Sequence, residues 1–482
     1  MNEWMTDAPT FAVVGKINMG KSSVLATLLE IDDDRVIRVS STPGETTRCQ
    51  ALPLVFDDKE MIRFVDTPGF SRALEAMRAI QDLHGEGTPD LATVKKFVEQ
   101  QLESGEFEDE ARLLEPVIEG AGVLYVVDPS KPMRDAFVAE MEILRWTGRP
   151  RMALLNEKVE NEERLEEWRA RLGSYFNLVR TFNAHHARFE ERRRLLRSLL
   201  EIDESHRGRI EETIRLIDQE WEQRREESAE VVITFLGKAL GHRESVQLDE
   251  KEDELDHRKE RRRAELTSTY YKSIARLEEK TYRKFLELYR HKVIKVEVDE
   301  KLFNGVDLSA AEIWKKWGLS RLQLTLTGGV AGGVAGAAVD LGTGGLTHGF
   351  GTVVFALGSA GAAFFRGNSL PDLKMDASGV SLGGQTQKAL VVGPPANDNF
   401  PWILLDRVFH HYREIASRSH GRRDQEIRER EEADAGWVRH FSRERRNKLQ
   451  RWFSGQAKGG GSYFDPGVFQ ELIESLREVE QA

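Results

Sequence analysis

The sequence predicts an α/β amino-terminal domain with a doubly wound sheet, followed by a mainly α-helical domain with a Gly-rich hairpin and a few short strands. Three observations support this fold class. Short apolar runs bounded by polar loops recur up to about residue 190, as expected for strands joined by helices. Glycine and proline nearly vanish from 187 to 300, where apolar residues follow helical spacing. A Gly-dense apolar segment then covers 324–365.

Length and composition set the outer limits of the interpretation. The 482 residues allow two or three domains. We divide the chain into four segments: 1–190 (the α/β domain), 191–320 (charged helices), 321–370 (the hairpin) and 371–482 (short β elements and helices). The net charge of −11 argues against a chain that coats nucleic acid, and we find no strong nucleic-acid signal. The single cysteine, Cys49, and an amino end that is neither basic nor apolar favour a cytoplasmic protein.

The first strand leads into a phosphate-binding pattern. Residues 15–22 read G-K-I-N-M-G-K-S, follow the apolar run 11–14 and open an apolar helix. Loop N–H groups and the helix amino terminus would surround a phosphate. Lys21 would bridge the outer phosphates, and the Ser22 hydroxyl would ligate Mg²⁺. The nucleotide-binding residues predicted here are Gly15, Asn18, Met19, Gly20, Lys21, Ser22 and Ser23.

A second motif, D-T-P-G at 66–69, ends a strand that pairs with the run 51–56. A carboxylate at the carboxyl end of such a strand points into the ligand crevice. Asp66 would hold Mg²⁺ through water, and the Gly69 N–H would sense the γ-phosphate. The polar loop before this strand pair contains Thr46 and Thr47, either of which could supply a hydroxyl to the metal.

The motifs N-x-G-K-S-S (18–23), P-G-x-T-T-R (43–48) and D-T-P-G-F (66–70) resemble the Era/TrmE/EngA branch of the TRAFAC P-loop GTPases. The resemblance covers roughly 10–190 and implies a Ras-like domain, Mg²⁺-dependent hydrolysis of GTP to GDP, and switch loops at about 38–50 and 66–80. It implies catalytic roles for Lys21, Thr47 and Gly69, and metal ligation by Ser22, Thr47 (chosen over Thr46) and Asp66.

The base-reading residues depart from that family. Where its N-K-x-D motif belongs, the sequence reads N-E-K-V-E from Asn156, with Val159 at the carboxylate position and Glu160 one residue beyond. Asn183 begins N-A-H, where the family places its S-A-x loop. We expect GTP as the ligand, with Asn156 and Asn183 at the base, and we leave relaxed base selectivity open.

Two further residues concern hydrolysis, one that departs from the Ras pattern and one that matches part of the resembled group. Phe70 stands where Ras-type enzymes place a water-orienting Gln, so we expect slow intrinsic turnover. Asn18 occupies the loop position at which cation-activated members of the resembled group coordinate K⁺. K⁺-stimulated hydrolysis is therefore one hypothesis, and a purely loop-stabilising role for Asn18 is the other.

Three segments outside these motifs have alternative interpretations. The acidic insert between Phe70 and Val123 is either a helical decoration, which we favour slightly, or an arm moved by the second switch. The basic run 257–263 has acidic neighbours, which favours a solvated helix face over a phosphate-binding patch. Five aromatic residues at helical spacing favour core packing over base-stacking platforms: Tyr270, Tyr271, Tyr282, Phe285 and Tyr289.

The hairpin has a small-residue ridge at Gly328, Gly332 and Gly336. Its apolar arms are shorter than the ~20 residues needed to span a bilayer, which leaves shallow membrane insertion, slightly favoured, and burial within the protein. Beyond it the sequence predicts short strands, a helix from Trp402 through adjacent His410 and His411, a flexible link at 454–462, and a terminal helix at 468–479.

The whole arrangement resembles a bacterial family that joins such a GTPase to a C-terminal domain of unknown function. We expect a GTP-dependent switch coupled to a helical region that contacts a protein partner or the cytoplasmic face of the inner membrane, peripherally. The alternatives are a dynamin-like membrane-remodelling GTPase and a nucleotide-binding module with little hydrolysis.

Overall fold

The structure is a computed structural model of the 482-residue chain. The chain forms two compact units. The first unit contains Met1–Gln223, Arg290–Val293 and Ser417–Gln425; the second contains Arg224–Tyr289, Ile294–Ala416 and Glu426–Ala482. The residues that the structure describes are 7–33, 36, 48–157, 162–247, 256–294, 380–382, 385–387, 389–393, 400–422, 436–458 and 462–482.

Six strands form the central sheet of the first unit. They are β1 (Thr10–Val14), β2 (Gln50–Phe56), β3 (Lys59–Asp66), β4 (Gly122–Val127), β5 (Arg151–Asn156) and β6 (Leu178–Phe182). Their order across the sheet is β2-β3-β1-β4-β5-β6. β2 runs antiparallel to β3, whereas the pairs β3–β1, β1–β4, β4–β5 and β5–β6 are parallel. This sheet confirms the predicted doubly wound α/β class.

Helices connect and cover these strands. They are α1 (Lys21–Leu29), α2 (Ala73–His84), α3 (Leu91–Ser104), α4 (Glu108–Glu119), α5 (Asp135–Trp146), α6 (Glu162–Leu172) and α7 (Phe189–Ile202). All six residues of β4 are buried, because helices cover both faces of a sheet of this class. Because β3, β1, β4, β5 and β6 run parallel, their carboxyl ends share one edge of the sheet. Ligands bind at this edge in open α/β sheets.

The insert after the second motif is helical, as its spacing predicts. The Asp90 side chain accepts the Thr93 N–H and caps α3, and Gly105 ends α3 in the left-handed conformation. Val94, Phe97 and Val98 are buried on one face of α3. The insert thus contributes to the core of the first unit instead of lying wholly in solvent.

The second unit is mainly helical. α8 (Arg207–Gly241) crosses the boundary between the units, and α9 (Asp256–Leu288), α10 (Phe400–Ala416), α11 (Arg443–Ala457) and α12 (Pro466–Gln481) follow. Among the described residues of this unit, the strands form two antiparallel pairs, β7 (Glu244–Gln247) with β10 (Ala389–Val392) and β8 (Val380–Leu382) with β9 (Gln385–Gln387).

The core of the second unit contains buried aromatic and charged side chains. The five aromatic residues predicted to be core, Tyr270 to Tyr289, are all buried. Arg407 forms a 2.7 Å ion pair with Glu278, which is fully buried. His411 stacks on Tyr282 with ring centres 3.9 Å apart. In the basic run, Arg261 and Arg262 are both exposed and pair with Glu265, as expected for a solvated helix face.

Of two predictions in the carboxyl-terminal half, one is partly wrong and the other lies outside the described residues. The flexible link predicted from 454 is wrong for its first four residues, because α11 continues through Ala457. The Gly-rich hairpin at 321–370 lies outside the described residues. Within the described part of the chain, no helix is both long enough and apolar enough to cross a membrane.

Candidate nucleotide-binding site

The loop between β1 and α1 has backbone torsions that suit its sequence. Asn18 and Gly20 have φ angles of 66° and 92°, in the left-handed region that asparagine and glycine tolerate better than other residues. Gly15 has a φ of 145°, and a Cβ at this position would lie 2.4 Å from the carbonyl oxygen of Val126. The close approach of β4 therefore requires glycine at position 15.

Lys21 begins α1, and its ammonium group turns back over the loop. Nζ donates hydrogen bonds to the carbonyl oxygens of Gly15 at 3.1 Å and Lys16 at 3.4 Å. Burial lowers the pKa of Lys21, and the carboxylate of Asp66 opposes that shift. A nearly buried amine is thus held at the carboxyl edge of the sheet, next to the amino terminus of α1.

Ser22 and Asp66 form a pair of oxygen donors beside this amine. Ser22 Oγ donates to Asp66 Oδ2 at 3.2 Å. Asp66 Oδ1 is buried and has no hydrogen-bond partner among the described residues. Burial raises the pKa of Asp66 to about 6, although the Lys21 ammonium and the Ser22 hydroxyl oppose this. A hydroxyl and a carboxylate with a spare oxygen suit Mg²⁺. Thr47, the third predicted ligand, lies outside the described residues.

The D-T-P-G segment lies directly against the phosphate loop. Thr67 Oγ1 donates to the carbonyl oxygen of Val13 at 2.8 Å, which ties the segment to β1. A Cβ on Gly69 would lie 2.6 Å from the backbone nitrogen of Ile17, so only glycine allows this approach. Phe70 is fully buried, and its apolar ring belongs to the core of the first unit.

Asn156 joins the phosphate loop to the loop after β6. Its Nδ2 donates to the carbonyl oxygen of Met19 at 3.2 Å, and its Oδ1 accepts the Ala184 N–H at 3.1 Å. The side chain of Asn183 accepts the His185 N–H at 3.0 Å, which orders the same loop. The structure therefore brings Asn156 and the loop of Asn183 together, while Val159 and Glu160 lie outside the described residues.

The helical insert holds the loop that follows the second motif. Glu110 Oε1 accepts the backbone N–H groups of Ser71 at 2.8 Å and Arg72 at 2.6 Å. Ser71 Oγ donates to Asp109 at 2.7 Å, and the Arg72 guanidinium lies 4.6 Å from the ring centre of Phe107. These contacts join the insert to the loop that follows Asp66, and movement of the insert with that loop stays a prediction.

A buried carboxylate behind the loop is not indicated by any sequence motif. Glu140 on α5 is fully buried and accepts a 2.8 Å hydrogen bond from the hydroxyl of Tyr125 on β4. Burial raises the pKa of Glu140 to about 8, opposed by the Tyr125 hydrogen bond and by the cationic side chains of Lys16 and Lys21. An acidic residue within the apolar run of α5 is the only sequence signal for it.

The predicted residues of the phosphate loop therefore lie together at one edge of the sheet. Gly15, Lys21, Ser22 and Asp66 are linked by the contacts above, and Met19 is linked to Asn156. Ser23 is buried in the first turn of α1. Their roles toward a nucleotide or a metal stay predictions.

Comparisons with known proteins agree with this geometry. Residues 10–157 match the family model described as a 50S ribosome-binding GTPase. Residues 169–477, more than half of the chain, match the model of a domain of unknown function, DUF3482. The comparison with curated proteins gives no match.

Two solved structures have low similarity to the chain. A crystal structure of Era in complex with MgGDPNP and nucleotides 1506–1542 of 16S ribosomal RNA has a TM-score of 0.29 at 17% identity, covering 41% of this chain and 57% of that one. A bacterial selenocysteine-specific elongation factor, EF-Sec, has a TM-score of 0.26 at 19% identity, covering 42% and 29%. The chain thus spans less than two thirds of either structure.

The family models and the sheet order together confirm the resemblance drawn from the motifs. The amino-terminal unit is a GTP-binding P-loop GTPase domain, and the chain belongs to the DUF3482 family.

Proposed function

We propose that this protein hydrolyses GTP to GDP with Mg²⁺ and acts as a nucleotide-dependent switch for its helical region. One observation supports the proposal most strongly. Lys21 donates a hydrogen bond to the phosphate loop, and Ser22 donates one to Asp66. The second carboxylate oxygen of Asp66 is buried and has no hydrogen-bond partner among the described residues. An ammonium group for phosphate beside oxygen donors for a hard cation is the arrangement that phosphoryl transfer needs.

Each residue then has a defined role. The loop N–H groups and Lys21 would bind the β- and γ-phosphates, and Gly69 would offer its N–H to the γ-phosphate. Ser22 directly, and Asp66 through water, would hold Mg²⁺ with Thr47. Bound there, Mg²⁺ would neutralise negative charge on the outer phosphates. Asn156 would keep the phosphate loop and the base loop in fixed register, through its bonds to Met19 and Ala184.

Phosphate release by the purified full chain tests this function. We expect GTP hydrolysis that requires Mg²⁺ and is abolished by Lys21→Ala. Lys95→Ala is the matched control, because Lys95 is 61% exposed on α3 and pairs only with Glu99 among the described contacts. Turnover by Lys21→Ala equal to that of the control variant would contradict the assignment of Lys21 to the phosphates.

Cation dependence is a second part of the proposal. Asn18 is exposed at the tip of the loop, with a left-handed backbone that Asn adopts readily. If Asn18 helps to coordinate K⁺, hydrolysis is faster in KCl than in NaCl of equal ionic strength, and Asn18→Ala removes the difference. Equal rates in both salts would leave Asn18 with a loop-stabilising role alone.

Phe70 favours a second candidate, a nucleotide-binding module with little hydrolysis. Its ring is fully buried in the core, so this position cannot orient a water molecule. Tight GTP binding with no phosphate release in either salt would support this candidate over a GTPase switch.

We also propose a peripheral location at the cytoplasmic face of the inner membrane. The support is the Gly-rich sequence at 321–370, whose apolar arms and small-residue ridge suit shallow insertion. Co-sedimentation of the full chain with anionic vesicles tests this location. Loss of binding in a variant lacking 324–365 is the expected result, and no binding by the full chain would contradict it.

A further inference from the structure

Ala184 lies at the centre of a hydrogen-bond relay in the first unit. The N–H of this buried residue donates to Asn156 Oδ1, and Asn156 Nδ2 donates to the Met19 carbonyl oxygen of the phosphate loop. On its carboxyl side, its carbonyl oxygen accepts the Thr27 hydroxyl of α1 at 2.9 Å. The same oxygen accepts a hydrogen bond from Ser419. The backbone of this one residue therefore links four parts of the chain.

Ser419 is buried within a compact hydroxyl cluster. Its Oγ lies 2.9 Å from Thr27 Oγ1 and accepts the Gly421 N–H at 3.2 Å. A Cβ on Gly421 would lie 2.5 Å from the Ala184 carbonyl oxygen and 2.8 Å from Thr27 Oγ1. The segment 417–422 thus fits closely against the base loop, and a larger residue at 421 would displace one of them.

A second set of contacts anchors this segment. The His420 ring stacks on His291 with ring centres 4.2 Å apart, and both side chains are buried. His291 Nδ1 lies 3.6 Å from Asp32, just after α1. Asp32 also accepts the Lys292 N–H at 2.9 Å. Residues far apart in sequence therefore hold 417–422 in place beside α1.

We propose that Ser419 and Gly421 are positioning residues for the base loop at 183–185, so that a segment distant in sequence sets the affinity for the purine base. The proposal rests on the proposed function, in which this loop faces guanine. The phosphates are bound by residues 15–22, and the contacts given above for Ser419 and Gly421 reach none of these residues directly. Removing the Ser419 hydroxyl should therefore weaken binding of the base and leave binding of the phosphates nearly intact.

Calorimetric titration of the full chain with MgGDP and with MgADP tests this separation. One hydrogen bond to a buried carbonyl corresponds to about a tenfold change at most. We expect Ser419→Ala to weaken GDP binding by about 3–10-fold with ADP binding unchanged, so that base discrimination falls by the same factor. Gly421→Ala should weaken GDP binding in the same direction. Ser419→Thr keeps the hydroxyl and should retain the wild-type preference for GDP over ADP. Ser205→Ala, an exposed serine in the same unit, is the matched control.

Equal weakening of GDP and ADP, or no change in either, would overturn the proposal. If the wild-type chain binds neither nucleotide, that result contradicts the proposed function but not the positioning role of Ser419. Amide hydrogen exchange then tests the positioning role. The N–H groups of residues 184–187 are all hydrogen-bonded within the loop or to Asn156. Their exchange should accelerate in Ser419→Ala while β1 is unaffected, and unchanged loop exchange would overturn the positioning role.

Discussion

Glu140 gives the first unit a stability that falls with pH. Burial raises the pKa of this carboxyl to about 8 from an ordinary value of 4.5. Between these values the unfolded chain loses the proton that the folded chain keeps, so rising pH favours unfolding. The loss of unfolding free energy due to Glu140 is absent below about pH 4.5 and complete above about pH 8. Between these values it grows by about 1.4 kcal/mol per pH unit.

The variant Glu140→Gln removes this titration and keeps an oxygen that can accept the Tyr125 hydroxyl. From about pH 5.5 to about pH 7.5, its stability relative to the wild type should increase by about 2.7 kcal/mol, a factor of about 100 in the opening equilibrium. Amide hydrogen exchange of β4, which carries Tyr125, measures that equilibrium locally. Because both proteins are compared at the same pH, intrinsic exchange cancels in the ratio of rates.

Glu142→Gln is the matched control, since Glu142 lies on the same helix but is partly exposed and paired with Arg145. Its exchange ratio to the wild type should not change with pH. If the ratio for Glu140→Gln is equally flat over this range, Glu140 does not hold a proton in the folded state, and the account of the buried carboxylate is wrong.

Three further outcomes are expected at the site. Gly15→Ala should destabilise the first unit by roughly 1–3 kcal/mol or more. The new Cβ would meet the Val126 carbonyl oxygen, and the positive φ at this position strains any residue with a Cβ. An unchanged melting temperature would contradict the close approach of β4. Asp66→Asn should weaken Mg²⁺ binding to the GDP complex by about 10–100-fold, measured by Mg²⁺ titration, whereas unaltered Mg²⁺ affinity would exclude Asp66 from the metal site. Glu110→Ala removes the carboxylate that accepts two loop N–H groups, and a hydrogen bond to a charged group contributes about 1.5–3 kcal/mol. Exchange of peptide 66–80 should therefore accelerate, and wild-type exchange there would mean that the insert does not hold this loop.

The parts of the site that a sequence motif encodes locally could be predicted. Gly15, Gly20 and Lys21 lie within one short loop whose torsions and hydrogen bonds depend on neighbouring residues. The pairing of Ser22 with Asp66 could be predicted as well, because β1 and β3 are neighbouring parallel strands whose carboxyl ends share one edge of the sheet. The helical character of the insert could be predicted for the same reason, since the spacing of Val94, Phe97 and Val98 places them on one buried face of α3.

Contacts between distant segments could not be predicted. Ser419 reaches Ala184 across 235 residues, and a serine in a polar stretch has no periodic signal. Glu110 stands in an acidic run that reads as solvated, yet it is buried because two loop N–H groups need an acceptor. Burial of Glu140 depends in the same way on the Tyr125 hydroxyl and on the packing of α5.

Equilibrium binding of GTP, measured by calorimetry on the full chain with and without Mg²⁺, tests the central claim most directly. The arrangement of Lys21, Ser22 and Asp66 leads us to expect one site per chain, with an affinity that increases when Mg²⁺ is added and is lost in Lys21→Ala. Absence of binding by the wild-type chain in the presence of Mg²⁺, or binding that Lys21→Ala leaves intact, would contradict it.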